Sequence, residues 1–302
     1  MGIIYGMWEL RPFIVEKIWG GERIAKLKHW AARRIGETLE VSRLQDASSE
    51  TTQGKLSEAL SASELSYVVK FIDTSDNLSV QVHPNDEHAK RLENQTGKTE
   101  CWYILEAGVG AGVYLGFKSG MTSSKFQKVV KENGSANECL NFIPVKKGDF
   151  FYVPAGAIHA IGRDVFLLEV QQSSGITYRV WDWNRLESDG KPRALHIDKA
   201  MQVIDFSEKF QRELKTNSHN VNLVQHSDFN FSILDISKEN KSIEFISSKR
   251  YISVISLGEK LEVNYGTQKI QVAPFHSLLL KPQQNAKLIL STTEKSKVAL
   301  VY

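Results

Sequence analysis

Cysteine and long apolar runs are both scarce in this 302-residue chain, and their scarcity argues against two classes of protein. Only two cysteines occur, Cys101 and Cys139, which is too few for the disulfide framework that stabilises small secreted domains. No stretch of the sequence approaches the roughly 18 apolar residues of a membrane-spanning helix. The first residues also lack a basic segment followed by an apolar one, so we predict no signal peptide. We therefore expect a cytoplasmic protein with no membrane partner.

The chain also has little net charge of either sign. The chain has 38 Lys and Arg against 35 Asp and Glu, a formal net charge of +3. Nucleic-acid-binding domains usually carry a strong basic excess, so no nucleic-acid partner is predicted. Hydrophobic residues make up 41% and charged residues 24%, which is typical of a soluble globular protein of one or two domains. Composition leaves the oligomeric state undetermined.

Helical patterns are few, and short β-branched or aromatic runs bounded by Gly, Asn, Asp and Pro dominate instead. Many short strands at regular spacing indicate a sandwich or a closed jelly-roll barrel. We therefore predict a fold dominated by β-structure. The predicted strands cover residues 67–72, 77–82, 101–105, 150–153, 165–170, 229–234, 251–256, 261–263, 277–280, 287–290 and 298–301.

Two helices are predicted between these strands. The first covers residues 86–93 with Asn85 as its N-cap, and the second covers 124–131 after the cap candidates Thr122 and Ser123. The second helix belongs to a small helical insert of about residues 121–134. The Ser/Thr-rich stretch 46–63 has weak periodicity and is predicted to be a surface excursion.

Two sequence blocks contain side chains with the chemistry of metal ligands: Gln81, His83, Glu100 and His159. Residues two apart on a strand point to the same face, so Gln81 and His83 can reach one ion. Pro84 then ends the strand beside them. Two imidazoles, a carboxylate and an amide oxygen suit Zn²⁺ and leave positions for water or substrate.

The spacing before His159 is more specific than the four residues alone. Gly148, Pro154, Gly156 and His159 fit the pattern Gly-x5-Pro-x-Gly-x2-His. This pattern resembles the second motif of the cupins, a superfamily of metal-binding jelly-roll proteins. The first cupin motif normally reads His-x-His, and Gln81 takes the place of its first histidine.

The Gln-x-His variant, together with further blocks in the same order, resembles the class I mannose-6-phosphate isomerases of the short form. The resemblance runs from about residue 10 to 200, and beyond that only the β-rich pattern agrees. It implies a cupin jelly-roll barrel followed by a second, degenerate cupin-like β domain. The matching blocks are Lys70-Phe-Ile-Asp73, Leu78-Ser-Val-Gln-Val-His-Pro-Asn-Asp86, Gly97-Lys-Thr-Glu-Cys-Trp-Tyr103, Val153-Pro-Ala-Gly-Ala-Ile-His-Ala-Ile-Gly162, Leu168-Glu-Val-Gln-Gln-Ser-Ser174 and Thr177-Tyr-Arg-Val-Trp-Asp182.

This resemblance also implies roles for single residues. Ser79 and Lys98 fall at the sugar-phosphate end of the site, Arg179 matches the family's catalytic arginine, and Glu169 matches a carboxylate connected with proton transfer. Lys98 and a zinc-bound water are further candidates for the base. One Zn²⁺ per chain is implied, with other divalent metals open, and its ligands fall on Gln81, His83, Glu100 and His159.

One departure from the family pattern concerns the arginine. Many relatives read Ser-Asp before the strand that carries it, whereas this chain reads Ser174-Gly175. The missing carboxylate puts the positioning of Arg179 in question.

Several of these residues also have plainer interpretations. Arg179 lies among aromatic residues and could stack on their rings, and Glu169 alternates with apolar neighbours as a solvent-facing strand residue would. Lys98 follows a turn glycine, where a solvated charge is usual. Cys101 is expected in the core. Five other histidines lack a ligand partner at useful spacing: His88, His196, His219, His226 and His276.

The predicted domains follow from the blocks. A catalytic cupin domain covers residues 1–205, with the N-terminal strands joining its barrel, a linker covers 206–221, and a C-terminal β domain covers 222–302. The predicted function is a zinc-dependent interconversion of mannose 6-phosphate and fructose 6-phosphate through a cis-enediol or enediolate. The alternatives are an isomerase of another sugar phosphate, a non-catalytic sugar-binding cupin and a redox cupin that uses Fe²⁺.

Overall fold

The computed structural model describes residues 6–132, 134–187, 189–207, 221–236, 241–244, 251–281 and 287–302. Strands dominate these residues, as predicted. The strands of the first two thirds of the chain are β1 (Met7–Glu9), β2 (Phe13–Val15), β3 (Glu37–Val41), β4 (Arg43–Leu44), β5 (Ala47–Ser48), β6 (Glu50–Thr51), β7 (Gly54–Lys55), β8 (Tyr67–Asp73), β9 (Val80–Val82), β10 (Glu100–Ala107), β11 (Gly112–Phe117), β12 (Leu140–Pro144), β13 (Phe150–Val153), β14 (His159–Ile161), β15 (Val165–Gln172) and β16 (Tyr178–Trp181).

The last third of the chain contains the remaining strands, and each strand predicted there is present with bounds shifted by at most two residues. They are β17 (Val221–Gln225), β18 (Asn230–Ile236), β19 (Lys241–Glu244), β20 (Ile252–Ser256), β21 (Leu261–Tyr265), β22 (Gln268–Val272), β23 (Ser277–Leu280), β24 (Lys287–Thr292) and β25 (Ser296–Val301).

Both predicted helices are confirmed, and their caps explain why they begin where they do. The side chain of Asn85 accepts a hydrogen bond from the His88 N–H, and that of Thr122 accepts one from the Lys125 N–H. A 3₁₀ helix, Ala136–Cys139, follows the second of them, which extends the helical insert. The α-helices are α1 (Arg23–Leu27), α2 (Leu56–Ala59), α3 (Asp86–Glu93), α4 (Ser123–Lys131) and α5 (Ile197–Val203).

Four larger sheets form successive layers. Sheet I has the strand order β13-β10-β15-β8-β3-β2 and faces sheet II, of order β12-β11-β14-β9-β16, across the interior of a barrel. Sheet III has the order β1-β23-β20-β25-β18-β17 and packs on the outer face of sheet I. Sheet IV, of order β19-β24-β21-β22, covers the far side of sheet III. Helices α3, α4 and α5 cover the outer face of sheet II.

Strand alternation divides the side chains of sheet I between two cores. Trp102 and Leu167 point into the barrel, whereas Cys101 and Leu168 point outward against sheet III. Cys101 is therefore a core residue, as expected. The hydroxyl of the outward-facing Tyr67 lies 3.0 Å from the Tyr251 carbonyl oxygen and 2.8 Å from Ser253 Oγ. This buried contact connects sheet I to sheet III.

The structure corrects two expectations about the chain outside the barrel. The stretch 46–63 is not a simple surface excursion, because two of its residues are buried. Ser49 lies between two short β-hairpins, and Leu56 begins the helical turn α2. Strand β1 does not join the barrel; it pairs with β23 of sheet III, whereas β2 pairs with β3 of sheet I. Strand β17 already begins at Val221, and most of the predicted linker, residues 208–220, lies outside the described residues.

Candidate metal centre and active site

The register of sheet II places three of the predicted site residues in one row. His159 on β14 lies opposite Gln81 on β9, and Gln81 lies opposite Arg179 on β16. Directly paired residues of neighbouring strands share a face. The same row continues to Leu115, which packs in the barrel interior. His159, Gln81 and Arg179 therefore belong to the inner face of the barrel.

Glu100 approaches this row from the opposite sheet. It begins β10 of sheet I and is fully buried, and its Oε2 lies 3.3 Å from His83 Nε2 while its Oε1 lies 3.3 Å from His159 Nε2. The potential ligand atoms of His83, Glu100 and His159 all lie within 4.8 Å of one another. Glu100 Oε1 has no hydrogen-bond donor, and such an orphaned buried oxygen is costly without a cation. The three side chains therefore form a group that could hold a metal ion.

Backbone carbonyl groups fix the tautomers of both histidines. His83 Nδ1 lies 2.8 Å from the carbonyl oxygen of Ile176, and His159 Nδ1 lies 2.9 Å from that of Ala157. A carbonyl oxygen only accepts hydrogen bonds, so each Nδ1 carries the proton and each Nε2 keeps its lone pair. Outer hydrogen bonds of this kind orient metal-binding imidazoles in proteins. The two histidines thus present their Nε2 atoms towards Glu100.

The protonation states also suit a metal ion. Burial, with Lys98 adding to it, lowers the pKa of His83 to about 3, and burial lowers the pKa of His159 as well. Burial alone would raise the pKa of Glu100, but Lys98 and the two histidines hold it well below its ordinary value. Neutral imidazoles and an ionised carboxylate are the forms that bind metals.

Gln81 and Ser79 lie next to this group. The side-chain amide of Gln81 has its Nε2 3.3 Å from His159 Nε2, and the Ser79 hydroxyl donates to Gln81 Oε1 over 3.5 Å. The nitrogen and oxygen of an amide exchange places on a 180° rotation, which would turn Oε1 towards His159. Ser79 precedes β9 in a segment without regular secondary structure, and the predicted strand there therefore begins too early.

Lys98 is buried rather than solvated. Its ammonium group donates to His83 Nε2 over 2.9 Å and to Glu100 Oε2 over 2.8 Å. It lies in the irregular segment just before β10, held by a hydrogen bond from its N–H to the Pro84 carbonyl oxygen. Gly97 permits this close approach, because a Cβ there would lie 2.6 Å from backbone atoms of Asn85 and Asp86. A cation is therefore already accommodated between His83 and Glu100.

Glu169 faces the barrel interior, so its interpretation as a solvent-facing residue is wrong. It lies opposite Trp102 on one neighbouring strand and opposite Lys70 on the other. Its Oε2 accepts a hydrogen bond of 3.0 Å from Trp102 Nε1, and its Oε1 lies 3.3 Å from Lys70 Nζ. Burial and the charge of Glu100 raise the pKa of Glu169, against the opposing effect of Lys70.

Lys70 itself is a site residue that the sequence reasoning missed. Its Nζ also lies 3.1 Å from Glu37 Oε2, and the nearby carboxylates raise its pKa despite its burial. One signal was available, because Lys70 occupies an inward position between the apolar residues Val68 and Ile72. A lysine on the buried face of an apolar strand rarely lacks a charged partner.

Arg179 makes polar contacts to a neighbouring backbone segment. Its Nη1 donates to the Ala194 carbonyl oxygen over 2.9 Å, and its backbone N–H donates to His196 Nδ1 over 3.1 Å. The His196 N–H in turn donates to the Arg179 carbonyl oxygen over 2.7 Å. These contacts, rather than a residue at position 175, hold the arginine. A Cβ on Gly175 would meet no atom within 4 Å.

Comparisons with known proteins identify the family. The profile described as phosphomannose isomerase type I, catalytic domain, matches residues 32–103. The chain is 37% identical over 212 residues to mannose-6-phosphate isomerase ManA of Bacillus subtilis, covering 65% of this chain and 67% of that protein. The chain belongs to the type I phosphomannose isomerase family. A second B. subtilis protein, named probable mannose-6-phosphate isomerase GmuF, is 38% identical over 213 residues, with coverage of 65% and 67%.

The fold of this phosphomannose isomerase family member agrees with a solved relative over nearly its whole length. The crystal structure of mannose 6-phosphate isomerase from B. subtilis superimposes with a TM-score of 0.85 at 24% identity, covering 98% of this chain and 99% of that one. The predicted fold class, a β-dominated cupin barrel with a second β domain, is therefore confirmed. Among the described residues, no helix has both the length and the apolar character needed to cross a membrane.

A separate cavity of about 490 Å³ lies at the seam between sheets I and III. Its walls include Tyr103 and Phe166 from the outer face of sheet I and Lys297 from sheet III. Neither His83 nor Glu100 lines it. The candidate site in the barrel interior and this cavity therefore lie on opposite faces of sheet I.

Proposed function

We propose that this chain is a metal-dependent aldose–ketose isomerase that interconverts mannose 6-phosphate and fructose 6-phosphate. The observation that carries the proposal is the convergence of His83, Glu100 and His159 inside the barrel, with their ligand atoms within 4.8 Å of one another. The named activities of the curated relatives supply the substrate.

The metal would be held by Gln81, His83, Glu100 and His159, whose nitrogen and oxygen donors suit one Zn²⁺ per chain. When bound, the ion supplies a Lewis acid that stabilises negative charge on the sugar oxygens. The protein orients the two imidazoles in advance, because both Nδ1–H groups donate to backbone carbonyls. Other divalent ions with similar ligand preferences remain compatible with this donor set.

The reaction transfers a proton from C2 of the aldose to C1 of the ketose. Removal of the C2 proton leaves its bonding electron pair in a cis-enediolate. Delivery of this proton to C1, together with transfer of the O2 proton to O1, gives the ketose. We assign the proton transfer to Glu169 and Lys98. The raised pKa of Glu169 suits a group that accepts and returns a proton near neutral pH. Lys98 contacts the ligand set directly.

Binding of the substrate requires compensation of its negative charge. Ser79 supplies a hydroxyl and Lys98 an ammonium group at the proposed phosphate end, and both can donate to phosphate oxygens. Arg179 remains cationic at any physiological pH. It therefore can stabilise the charge of the enediolate or clamp an anionic group of the sugar.

A coupled assay of fructose 6-phosphate formation from mannose 6-phosphate tests the proposal, with other phosphorylated aldoses run alongside. We expect activity with mannose 6-phosphate and a loss of about 100-fold or more in Glu169→Gln and in Arg179→Ala. Glu132→Gln, a change at an exposed glutamate after α4, is the control and should leave activity unchanged. Turnover of a different phosphorylated aldose alone would assign the chain another substrate. Binding of mannose 6-phosphate without turnover would contradict isomerase activity.

A further inference from the structure

Asp182 is a buried carboxylate at the edge of the candidate site, and it binds two arginines. Arg193 Nε donates to Asp182 Oδ2 over 2.7 Å while Arg193 Nη2 donates to Oδ1, which makes the pair bidentate. Arg185 Nη2 donates to Oδ1 over 2.7 Å. Bidentate pairs of this kind fix orientation as well as charge. The carboxylate is 7% exposed, so solvent contributes little to holding the two guanidinium groups.

The first arginine connects Asp182 to the segment that holds Arg179. Arg193 directly precedes Ala194, whose carbonyl oxygen accepts the hydrogen bond from Arg179 Nη1. Two residues later, His196 makes two hydrogen bonds to the Arg179 backbone: its ring Nδ1 accepts from the Arg179 N–H, and its own N–H donates to the Arg179 carbonyl oxygen. The segment 193–196 thus lies along β16 as a support for Arg179, and the Arg193–Asp182 pair anchors its first residue.

The second arginine connects Asp182 to the segment that presents Ser79. Arg185 Nη1 donates to the Asn77 carbonyl oxygen and lies 3.3 Å from Asp76 Oδ2. The segment 76–78 leads directly into Ser79. One carboxylate therefore restrains both the segment beside Arg179 and the segment that leads into Ser79.

The backbone around Asp182 is strained, which supports a functional reason for the arrangement. Trp183 and Asn184 both have positive φ, 59° and 56°, and the Arg185 N–H closes the turn on the Asp182 carbonyl oxygen over 3.0 Å. Asparagine tolerates this conformation, but tryptophan adopts it rarely. The Trp183 indole N–H donates to the Leu78 carbonyl oxygen over 2.6 Å, so the strained turn is itself bonded to the segment before Ser79. Strain of this kind concentrates at functional sites.

We infer that Asp182 is a positioning residue for substrate binding, which acts through Arg193 on Arg179 and through Arg185 on the Ser79 segment. This inference rests on the proposed function, because it concerns how the same site holds a hexose 6-phosphate. Asp182 does not contact the substrate in this account. Its removal therefore weakens binding of the phosphorylated sugar without removing a metal ligand.

The test measures the calorimetric Kd of the metal-loaded chain for sorbitol 6-phosphate, a hexitol phosphate that cannot isomerise. Asp182→Asn preserves shape but removes the charge, and it should weaken binding by about tenfold or more with metal content and far-UV dichroism unchanged. Arg193→Lys should reproduce this loss, because an ammonium group cannot bridge both carboxylate oxygens. Glu187→Gln is the matched control: Glu187 lies 3.4 Å from the same Arg193 but is 40% exposed, and its change should alter Kd by less than about twofold.

A double-mutant cycle separates positioning from general structure. Because one of its two routes runs through Arg179, Asp182→Asn should weaken binding less in an Arg179→Ala background than in the wild-type background. Equal losses in both backgrounds, or an unchanged Kd in Asp182→Asn or Arg193→Lys, would overturn the positioning role alone. A wild-type chain that neither binds sorbitol 6-phosphate nor isomerises mannose 6-phosphate would overturn the proposed function and this inference together.

Discussion

The ammonium nitrogen of Lys98 lies 2.8 Å from Glu100 Oε2 and 2.9 Å from His83 Nε2. These are two of the atoms that the proposed metal ion would bind. A lysine and a divalent cation cannot use the same lone pairs, so binding of the metal requires the ammonium group to turn away. With a metal held by these atoms, the ammonium group would be free to contact an anionic substrate.

Replacement of Lys98 by methionine should therefore have opposite effects on metal affinity and on stability. Removing a positive charge from the ligand set should tighten Zn²⁺ binding by about tenfold or more. In the metal-free chain, Glu100 loses its buried counter-ion, at a cost of about 3 kcal/mol. Competition with a chromophoric chelator measures the affinity and denaturant unfolding measures the stability. Lys118→Met, at an exposed lysine, is the control, and equal metal affinity in Lys98→Met and wild type would refute this account of Lys98.

Two glycines of the site should respond in opposite directions to alanine. A Cβ on Gly97 would lie 2.6 Å from backbone atoms that cannot move aside easily, so Gly97→Ala should lower the free energy of unfolding by about 2 kcal/mol or more. Gly175 has open space around its Cα and lies outside the left-handed region of φ. Gly175→Ala should raise the free energy of unfolding by about 0.4–1 kcal/mol, because it restricts the unfolded chain. Urea unfolding of the two variants side by side tests this prediction. A higher free energy of unfolding in Gly97→Ala than in Gly175→Ala would contradict it.

The departure at Gly175 should matter little for Arg179. The arginine is held by Ala194 and His196, and neither contact involves residue 175. Introducing the carboxylate that many relatives have, in Gly175→Asp, should leave KM for mannose 6-phosphate within about twofold of wild type. Steady-state kinetics would expose an error, since a large fall in KM would mean that Arg179 is incompletely positioned in this chain.

His196 should make the stability of the chain depend on pH in the mildly acidic range. Burial and the positive charges of Arg179 and Lys199 lower its pKa, with Glu93 opposing them, so the folded chain favours the neutral ring. The neutral Nδ1 accepts the Arg179 N–H. A histidine whose pKa is lowered on folding stabilises the fold fully above its unfolded pKa of about 6.5, and this contribution is lost as the pH falls towards the folded pKa.

The variant His196→Asn gives a matched comparison, because its side-chain oxygen can accept the same hydrogen bond and does not titrate. The free energy of unfolding of metal-free wild type, measured from pH 7.5 down to about pH 5, should fall more steeply than that of His196→Asn. Parallel curves for the two proteins would mean that His196 is not held neutral by the fold.

The proposed metal ligands could be picked out from the sequence because most of their spacing is local. Gln81 and His83 are two residues apart on one strand, and His159 follows a glycine-proline turn, so a short pattern carries the information. The side of the barrel on which Glu169 lies was not predictable in this way. All eight residues of β15 are buried, because one face meets the barrel interior and the other meets sheet III. Alternation between apolar and polar residues therefore carries no signal about exposure there.

The partners of the buried charges were also beyond the sequence pattern. Lys70 meets Glu37 and Glu169 only because β3, β8 and β15 are neighbours in sheet I. Asp182 meets Arg193, which lies eleven positions later in the chain. Strand β1 pairs with β23 about 270 residues later in the chain. Each of these contacts depends on tertiary pairing, which no short motif encodes.

The most direct test of the central claim measures metal content and isomerase activity on the same preparations of wild type and His159→Ala. We predict about one zinc ion per wild-type chain, loss of mannose 6-phosphate isomerisation when a chelator removes it, and recovery when Zn²⁺ is returned. His159→Ala should bind the metal far more weakly and show little activity under the same conditions. Full activity in the chelator-treated wild type, or wild-type metal content and activity in His159→Ala, would contradict the account.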